Sequence, residues 1–270
     1  MVVQHNLTAM NSNRMLGLTT KTQAKSTEKL SSGYKINRAA DDAAGLAMSE
    51  KMRRQVRGLT QASLNAQDGI SMVQTAEGAL NEVHDMLQRL NELAVKGANG
   101  TLQSEDRSYI NLEVEQLMSE IDRVASTTTF NERKLLNGSC SAGIDLQVGA
   151  EASQVITLSI TAMNCSAIGL SGSATTQSAC NSLNDSVKTA ITKLNKQRAT
   201  LGAIQNRLEH TINNLDNVVE NTTSAESSIR DTDMATEMVR YSNNQILAQA
   251  GQAMLAQANQ TNQGVLSLLG

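Results

Sequence analysis

Two long stretches of this chain repeat apolar residues at helical spacing, while its two ends carry only scattered ones. From about Ala44 to Gly97 the repeat runs Met52, Val56, Leu59, Ser63, Ala66, Ile70, Val73, Ala76, Leu80, Val83, Leu87, Leu90, Ala94. Its steps alternate between three and four residues, apart from one repeated three, so the mean is that of a coiled-coil heptad. A helix over this span is on the order of 80 Å long at 1.5 Å per residue. A second seam starts near Leu183 and continues through Val187, Ile191, Leu194, Leu201, Ile204, Leu208, Ile212, Leu215 and Val219. The two match in kind and can close a bundle.

Between the seams the pattern changes three times. Ala98 to Thr101 breaks the first with turn residues, and Ser104 with the acidic residues after it can cap a helix over about 104 to 128, carrying Ile110, Leu112, Leu117, Ile121 and Val124. That helix folds back on the first. Phe130 to Gly138 reads as an exit loop, since Asn137-Gly138 is a turn signal. Ile144, Leu146 and Val148 then alternate with polar residues, as do Val155 to Ile160 more loosely, which predicts a β-hairpin within about 142 to 160. Residues 161 to 179, rich in Ser, Ala, Gly and Thr, read as a short linker.

The ends share a deficiency. Residues 4 to 32 offer Leu7, Met10, Leu18 and Leu30 among polar neighbours, and beyond Asn221 the pattern thins again, with Met234, Met238, Leu247, Met254 and Leu255 leading to the apolar tail Val265 to Leu269. Stripes this thin cannot hold a helix alone, because helices draw most of their stability from packing. The simplest solution is that the ends pair with each other and with copies of themselves. Leu30 to Met48 is a corner: Gly33 stands where a helix C-cap needs positive φ, and Asp41 or Asp42 can cap the helix that follows.

Composition narrows the class. The 270 residues contain no proline, no tryptophan and one phenylalanine, Phe130, so small aliphatics must supply the burial that rings usually provide, and long helices are uninterrupted. The predicted fold is mainly α, a long antiparallel helical bundle or coiled-coil rod with a small β-hairpin. A net charge of −3 argues against nucleic-acid binding. Lys51, Arg53, Arg54 and Arg57 form the one dense basic cluster, either a solvated helix face or a partner for acidic residues of a neighbouring subunit. No apolar run is long enough to span a membrane. The start has no basic region followed by an apolar core, so it does not read as a secretory signal peptide.

No catalytic constellation emerges. His5, His84 and His210 lie far apart without ligand-like neighbours, and no nucleophile elbow or phosphate loop occurs. No cofactor is expected. Cys140, Cys165 and Cys180 show no metal spacing and, being odd in number, no closed disulfide set; they read as small apolar residues.

The run from Ser31, SSGYKINRAADDAAGLAMSEKMRRQVRGLTQASLNAQDGISMVQTAEGAL, closely resembles the N-terminal signature of bacterial flagellins. Ser228-Ile229-Arg230-Asp231-Thr232-Asp233-Met234-Ala235 and Gln252-Ala253-Met254-Leu255-Ala256-Gln257-Ala258-Asn259 resemble the C-terminal one. The resemblance covers nearly the whole chain, in a short form lacking the large variable outer domains that longer members insert in the middle. It implies a structural subunit that self-assembles into the flagellar filament for motility and is not an enzyme. Residues 1 to about 42 and about 226 to 270 would then form the inner domain, with about 43 to 225 the surrounding rod. Head-to-tail contacts of this kind are heterologous and generate open helical filaments.

The same resemblance implies an extracellular location in the flagellum, export through the flagellar channel without a cleaved signal, and encounters with the flagellar cap, hook-filament junction proteins and an export chaperone. It also singles out Gln88, Arg89, Glu92, Leu93 and Glu113 as positions that in the family face neighbouring subunits and are read by vertebrate Toll-like receptor 5. Lys96 stands where the family commonly has Gln. Alternatively, Arg89 and Glu113 simply pair across a helix corner. A soluble coiled-coil signalling or adaptor protein, resembling the Ala/Gln-rich hairpins of chemoreceptors, would also explain the seams. It would not explain the match at both termini, and it predicts a finite oligomer. A junction protein of the same flagellum is the nearer rival within the family.

Overall fold

A computed structural model describes residues 6–269, with side chains to residue 261. His5 and the side chains of the tail Val265 to Leu269 therefore lie outside the described residues. The chain divides into two compact units. The terminal unit takes the residues up to Arg54 and those from Glu220 onward, and the central unit is Gln55–Val219. Both boundaries fall inside long helices, α2 (Ala43–Gly97) and α5 (Gln177–Arg230), rather than in connectors.

In the central unit α2 and α5 are joined by α3 (Ser104–Thr127). Pairings give the directions. Arg89 meets Glu113 while Arg107, earlier in α3, meets Gly97, so α3 runs back along α2. Ser63 meets Asp216 and Glu77 meets Arg198, so α5 is antiparallel to α2 as well. One core is shared by Val73, Ala76, Leu80, Val83, Leu87, Leu90 and Ala94 of α2, Ile110, Val114 and Ile121 of α3, and Leu183, Val187, Leu194 and Leu201 of α5. The heptad spacing thus marks the buried face of both long helices. Ala62, rather than Ser63, fills the inward place at its level, and Gln197 occupies the gap between Leu194 and Leu201. Its amide is satisfied there, accepting from Thr161 Oγ1 at 3.0 Å and donating to Ser159 O at 3.2 Å.

Three local readings change. The cap of α3 falls one residue early: the Gln103 N–H donates to Asp106 Oδ2 at 3.1 Å, the backbone half of a capping box. The stretch after α3 is a tight hairpin, β1 (Thr129–Phe130) with β2 (Arg133–Lys134), whose turn residues Asn131 and Glu132 both have positive φ. That turn matches strand twist but is unusual for Glu, which hid it in the sequence. Residues 161–179 are not a free linker. Met163, Cys165, Ile168, Leu170 and Ala174 are buried, and a one-turn helix α4 (Cys165–Ile168) is capped by Asn164 and closed by Gly169 at φ 78°. Asp122 accepts the Cys165 N–H at 2.8 Å and Asn111 accepts that of Ala174 at 2.7 Å. Sparse anchors inside a Ser/Gly-rich stretch are diluted in any composition average.

The expected hairpin forms as β3 (Ile144–Gln147) and β4 (Val155–Leu158), antiparallel, with Ile144 opposite Leu158 and Gln147 opposite Val155. It lays Leu146 and Ile156 on α2 and α5, where Gly69 leaves room for the Leu146 methyls.

The terminal unit is built on α1 (Leu7–Ser32) and α6 (Met234–Leu269). They are antiparallel: Asn6 Nδ2 donates to Ala258 O at 3.0 Å, and Leu16 packs on Gly251. Gly33 ends α1 at φ 77° with its N–H on Lys29 O. Of the two candidate caps for α2, Asp42 takes the role through Gly45 N–H at 2.9 Å. Asp41 instead pairs with Lys25 at 2.9 Å, a hydrogen bond that holds its carboxyl below the usual carboxylate range.

Candidate functional site: terminal helices and an exposed ionic patch

Burial separates the two units sharply. Among the described residues Ile36 is the one buried apolar side chain of the terminal unit, whereas the central unit holds all the others. Exposure is the mirror image, since eleven of the sixteen exposed large apolar side chains belong to the terminal unit. Monomeric proteins rarely leave so much apolar surface uncovered without a partner for it.

The sequence-marked positions lie on that surface. Leu7, Met10 and Leu18 of α1 are exposed, Leu7 by 68%, and the structure adds Met15. Leu7 and Leu18 are eleven residues apart, just over three full turns, and so stand nearly in line on the side of α1 away from Leu16. On α6, Met234, Met238, Leu247 and Met254 are exposed, while Leu255 is half-buried in the pair. Val239 and Ile246, which the sequence reading passed over, are exposed too. Val239 and Ile246 are one heptad apart, so α6 presents an apolar face beyond the one packed on α1, while Leu247 and Met254, also one heptad apart, flank that packed face. A groove of about 340 Å³ between the two helices is lined by Met15, Leu16, Leu247 and Met254.

The second feature is ionic. Arg89 Nε donates to Glu113 Oε1 at 2.9 Å and Nη1 donates to Glu92 Oε2 at 2.9 Å, joining α2 to α3 on the surface. The hydrogen bond to Glu113, then that to Glu92, raises the Arg89 pKa further above its already high ordinary value. Gln88 lies beside this triad with its amide 3.1 Å from His84 Nε2. Leu93 does not join the surface. It is 2% exposed and packs in the core beneath. The patch is therefore Gln88, Arg89, Glu92 and Glu113, with Leu93 as a support. Such exposed pairs add little to stability, and their geometry is available for recognition.

Nothing in the described residues resembles a reaction centre. No group of three His, Cys, Asp or Glu side chains there could hold a metal ion, and no helix there is long and apolar enough to cross a membrane. Cys140, Cys165 and Cys180 are free and buried. In the basic cluster, Arg53 pairs with Glu50 at 3.5 Å.

Comparison with known proteins bears on both ends. Residues 3–141 match the model of the bacterial flagellin N-terminal helical region, and residues 184–269 match that of the C-terminal helical region. The chain is 52% identical over 272 residues to a flagellin of Halalkalibacterium halodurans and 51% identical over 285 residues to the flagellar filament 31.3 kDa core protein of Treponema maltophilum. Both alignments cover the whole of each chain. The crystal structure of Bacillus cereus flagellin is similar at a TM-score of 0.52 and 31% identity, over 56% of this chain and 88% of that one. The chain belongs to the bacterial flagellin family, a family of structural proteins and not of enzymes.

Proposed function

We propose that this chain is the repeating subunit of a flagellar filament, outside the cell, built by contacts between the terminal units of successive copies. The observation that carries the reading is the uncovered apolar surface of α1 and α6, set against the finished core of the central unit. Apolar area left in water by one chain is stabilising once a second copy covers it, at about 25 cal/mol per Å². A contact between unlike faces of identical subunits propagates rather than closes. Within this reading, residues 1–42 and 226–270 serve as the inner part of the filament wall and 43–225 as the rod around it. The chain leaves the cell through the flagellar export channel with the help of an export chaperone, and meets the flagellar cap and hook-filament junction proteins during growth.

The test is electron microscopy of the purified chain at rising concentration, with and without short filament seeds. The expected result is long, seed-dependent filaments with a central channel. A dimer or tetramer that ignores seeds and concentration would replace this reading with that of a coiled-coil adaptor.

A second reading concerns the ionic patch, which is exposed in the single chain. We propose that Toll-like receptor 5 recognises Gln88, Arg89, Glu92 and Glu113 in the monomer, a reading supported by the family resemblance and by the fixed triad of Arg89. Arg89→Ala and Glu113→Ala are each expected to weaken receptor binding about tenfold while leaving the melting of the bundle unchanged, because exposed pairs matter little to stability. Unchanged binding by both variants would exclude the patch.

A further inference from the structure

The two connectors that launch the terminal helices meet at one residue. α5 ends at Arg230, and the segment after it pairs with the segment after α1: Lys35 N–H donates to Arg230 O at 2.6 Å, Thr232 N–H donates to Gly33 O at 2.9 Å, and Tyr34 and Asp231 form an antiparallel bridge. The Arg230 side chain closes this junction. Its guanidinium carbon lies 4.6 Å from the centre of the Tyr34 ring, and Nη1 lies 2.8 Å from Glu50 Oε1 and 4.0 Å from Glu226 Oε1. One side chain thereby touches the connector after α1, the start of α2 and the last turns of α5, and its own backbone opens the connector to α6.

The arrangement is costly. The Arg230 side chain is only 12% exposed, and its Nε has no hydrogen-bond partner. Glu226 Oε1 and Thr232 Oγ1 are also buried without one, so three of the four such side-chain atoms among the described residues gather here, the fourth being His84 Nδ1. Buried polar atoms without partners are destabilising and need a reason. Stacking supplies one: a guanidinium lying over a ring keeps its terminal nitrogens free for a carboxylate, a combination lysine cannot reproduce because it lacks the planar face.

We propose that Arg230, stacked on Tyr34 and held by Glu50, is a positioning residue for assembly. It fixes the launch points of α1 and α6 against each other, so that the terminal helices are offered to a second copy of this chain as one pair. The role rests on the filament reading above and adds to it a specific point on which growth depends. The apolar side chains of α1 and α6 make the contact, and the Arg230 clasp sets the register in which they make it.

The experiment is a double-mutant cycle on the full chain, read as the lowest concentration that supports seeded growth. R230A and Y34A should each raise that concentration about tenfold, and the double variant should be no worse than either, because both remove one interaction. Y34F keeps the ring and should grow like the wild type, and R230K should fall between. Thermal melting of the central bundle should be the same in all, which separates positioning from general loss of fold. Growth of R230A and Y34A at the wild-type concentration, or effects that multiply in the double variant, would overturn the clasp. A wild-type chain that ignores seeds would overturn the filament reading instead. In that case hydrogen exchange in the soluble chain still decides the clasp: the Lys35 amide should exchange about tenfold faster in R230A and Y34A, and unchanged exchange would refute it.

Discussion

Burial pushes the Cys165 thiol up to about 12, and the neighbouring Asp122 carboxylate acts in the same direction. The thiol donates to Met118 O at 3.3 Å, in the layer where the segment after β4 packs on α3. Since the thiolate is the reactive species, Cys165 is shielded twice, by packing and by protonation. The folded chain holds this proton to a higher pH than the unfolded chain, whose thiol titrates near 9. Its effect on stability is therefore constant below about pH 9, and stability falls as pH rises from about 9 toward about 12. At pH 8 an alkylating reagent should leave native Cys165 unmodified and label it fully in denaturant, as read by mass spectrometry. Rapid labelling of the native chain would contradict this burial. Reading the cysteines as small apolar residues anticipated their place. Leu93 and Leu112 were harder: Leu93 is buried and Leu112 is exposed, while Val114 takes the inward position on α3. A helix with apolar residues on two sides does not reveal from its own sequence which side its neighbours will cover.

At the scale of elements, the long seams were legible because burial acts on them at every turn. Leu80, Val83, Leu87, Leu90 and Ala94 are all fully buried, as are Leu183, Val187, Leu194 and Leu201. Periodicity summed over so many turns outweighs any single exception. Short elements gave no such sum. β1 and β2 are two residues each and α4 is four, too brief for a period to register; β1 and β2 are held by pairing with each other, and α4 by the tertiary bond from the Cys165 N–H to Asp122. The terminal helices were legible in the opposite sense, through the thinness of their stripes. Leu7, Met10 and Leu18 were marked as unpartnered, and they are exposed. If α1 matters through that surface, deleting residues 1–20 should abolish seeded growth and leave the central bundle intact. Electron microscopy and circular dichroism of the one variant test both halves. Filaments of normal length would remove α1 from assembly, and loss of the bundle's helical signal would show that the central unit depends on it.

For the molecule as a whole, the uneven division of apolar burial implies uneven stability. Regions with few buried apolar contacts open at lower free energy than packed cores, so this chain should not unfold as a single two-state body. The central unit carries the core from Val73 to Ala94 and from Leu183 to Leu201, while Ile36 is the one buried apolar residue of the terminal unit among those described. Hydrogen exchange on the soluble chain should therefore show amides of α1 and α6 exchanging first and those of the core stretches last, with heating producing two separable losses of helical signal. One coincident transition for both units would contradict the division. Assembly adds a further consequence, because a partner that binds the folded terminal unit stabilises it by mass action. Growth onto seeds should accordingly raise protection in α1 and α6 far more than in the core of the central unit, whose apolar surface is already covered. Equal gains in both would mean that the central bundle, rather than the exposed faces of the terminal helices, supplies the dominant contact between copies.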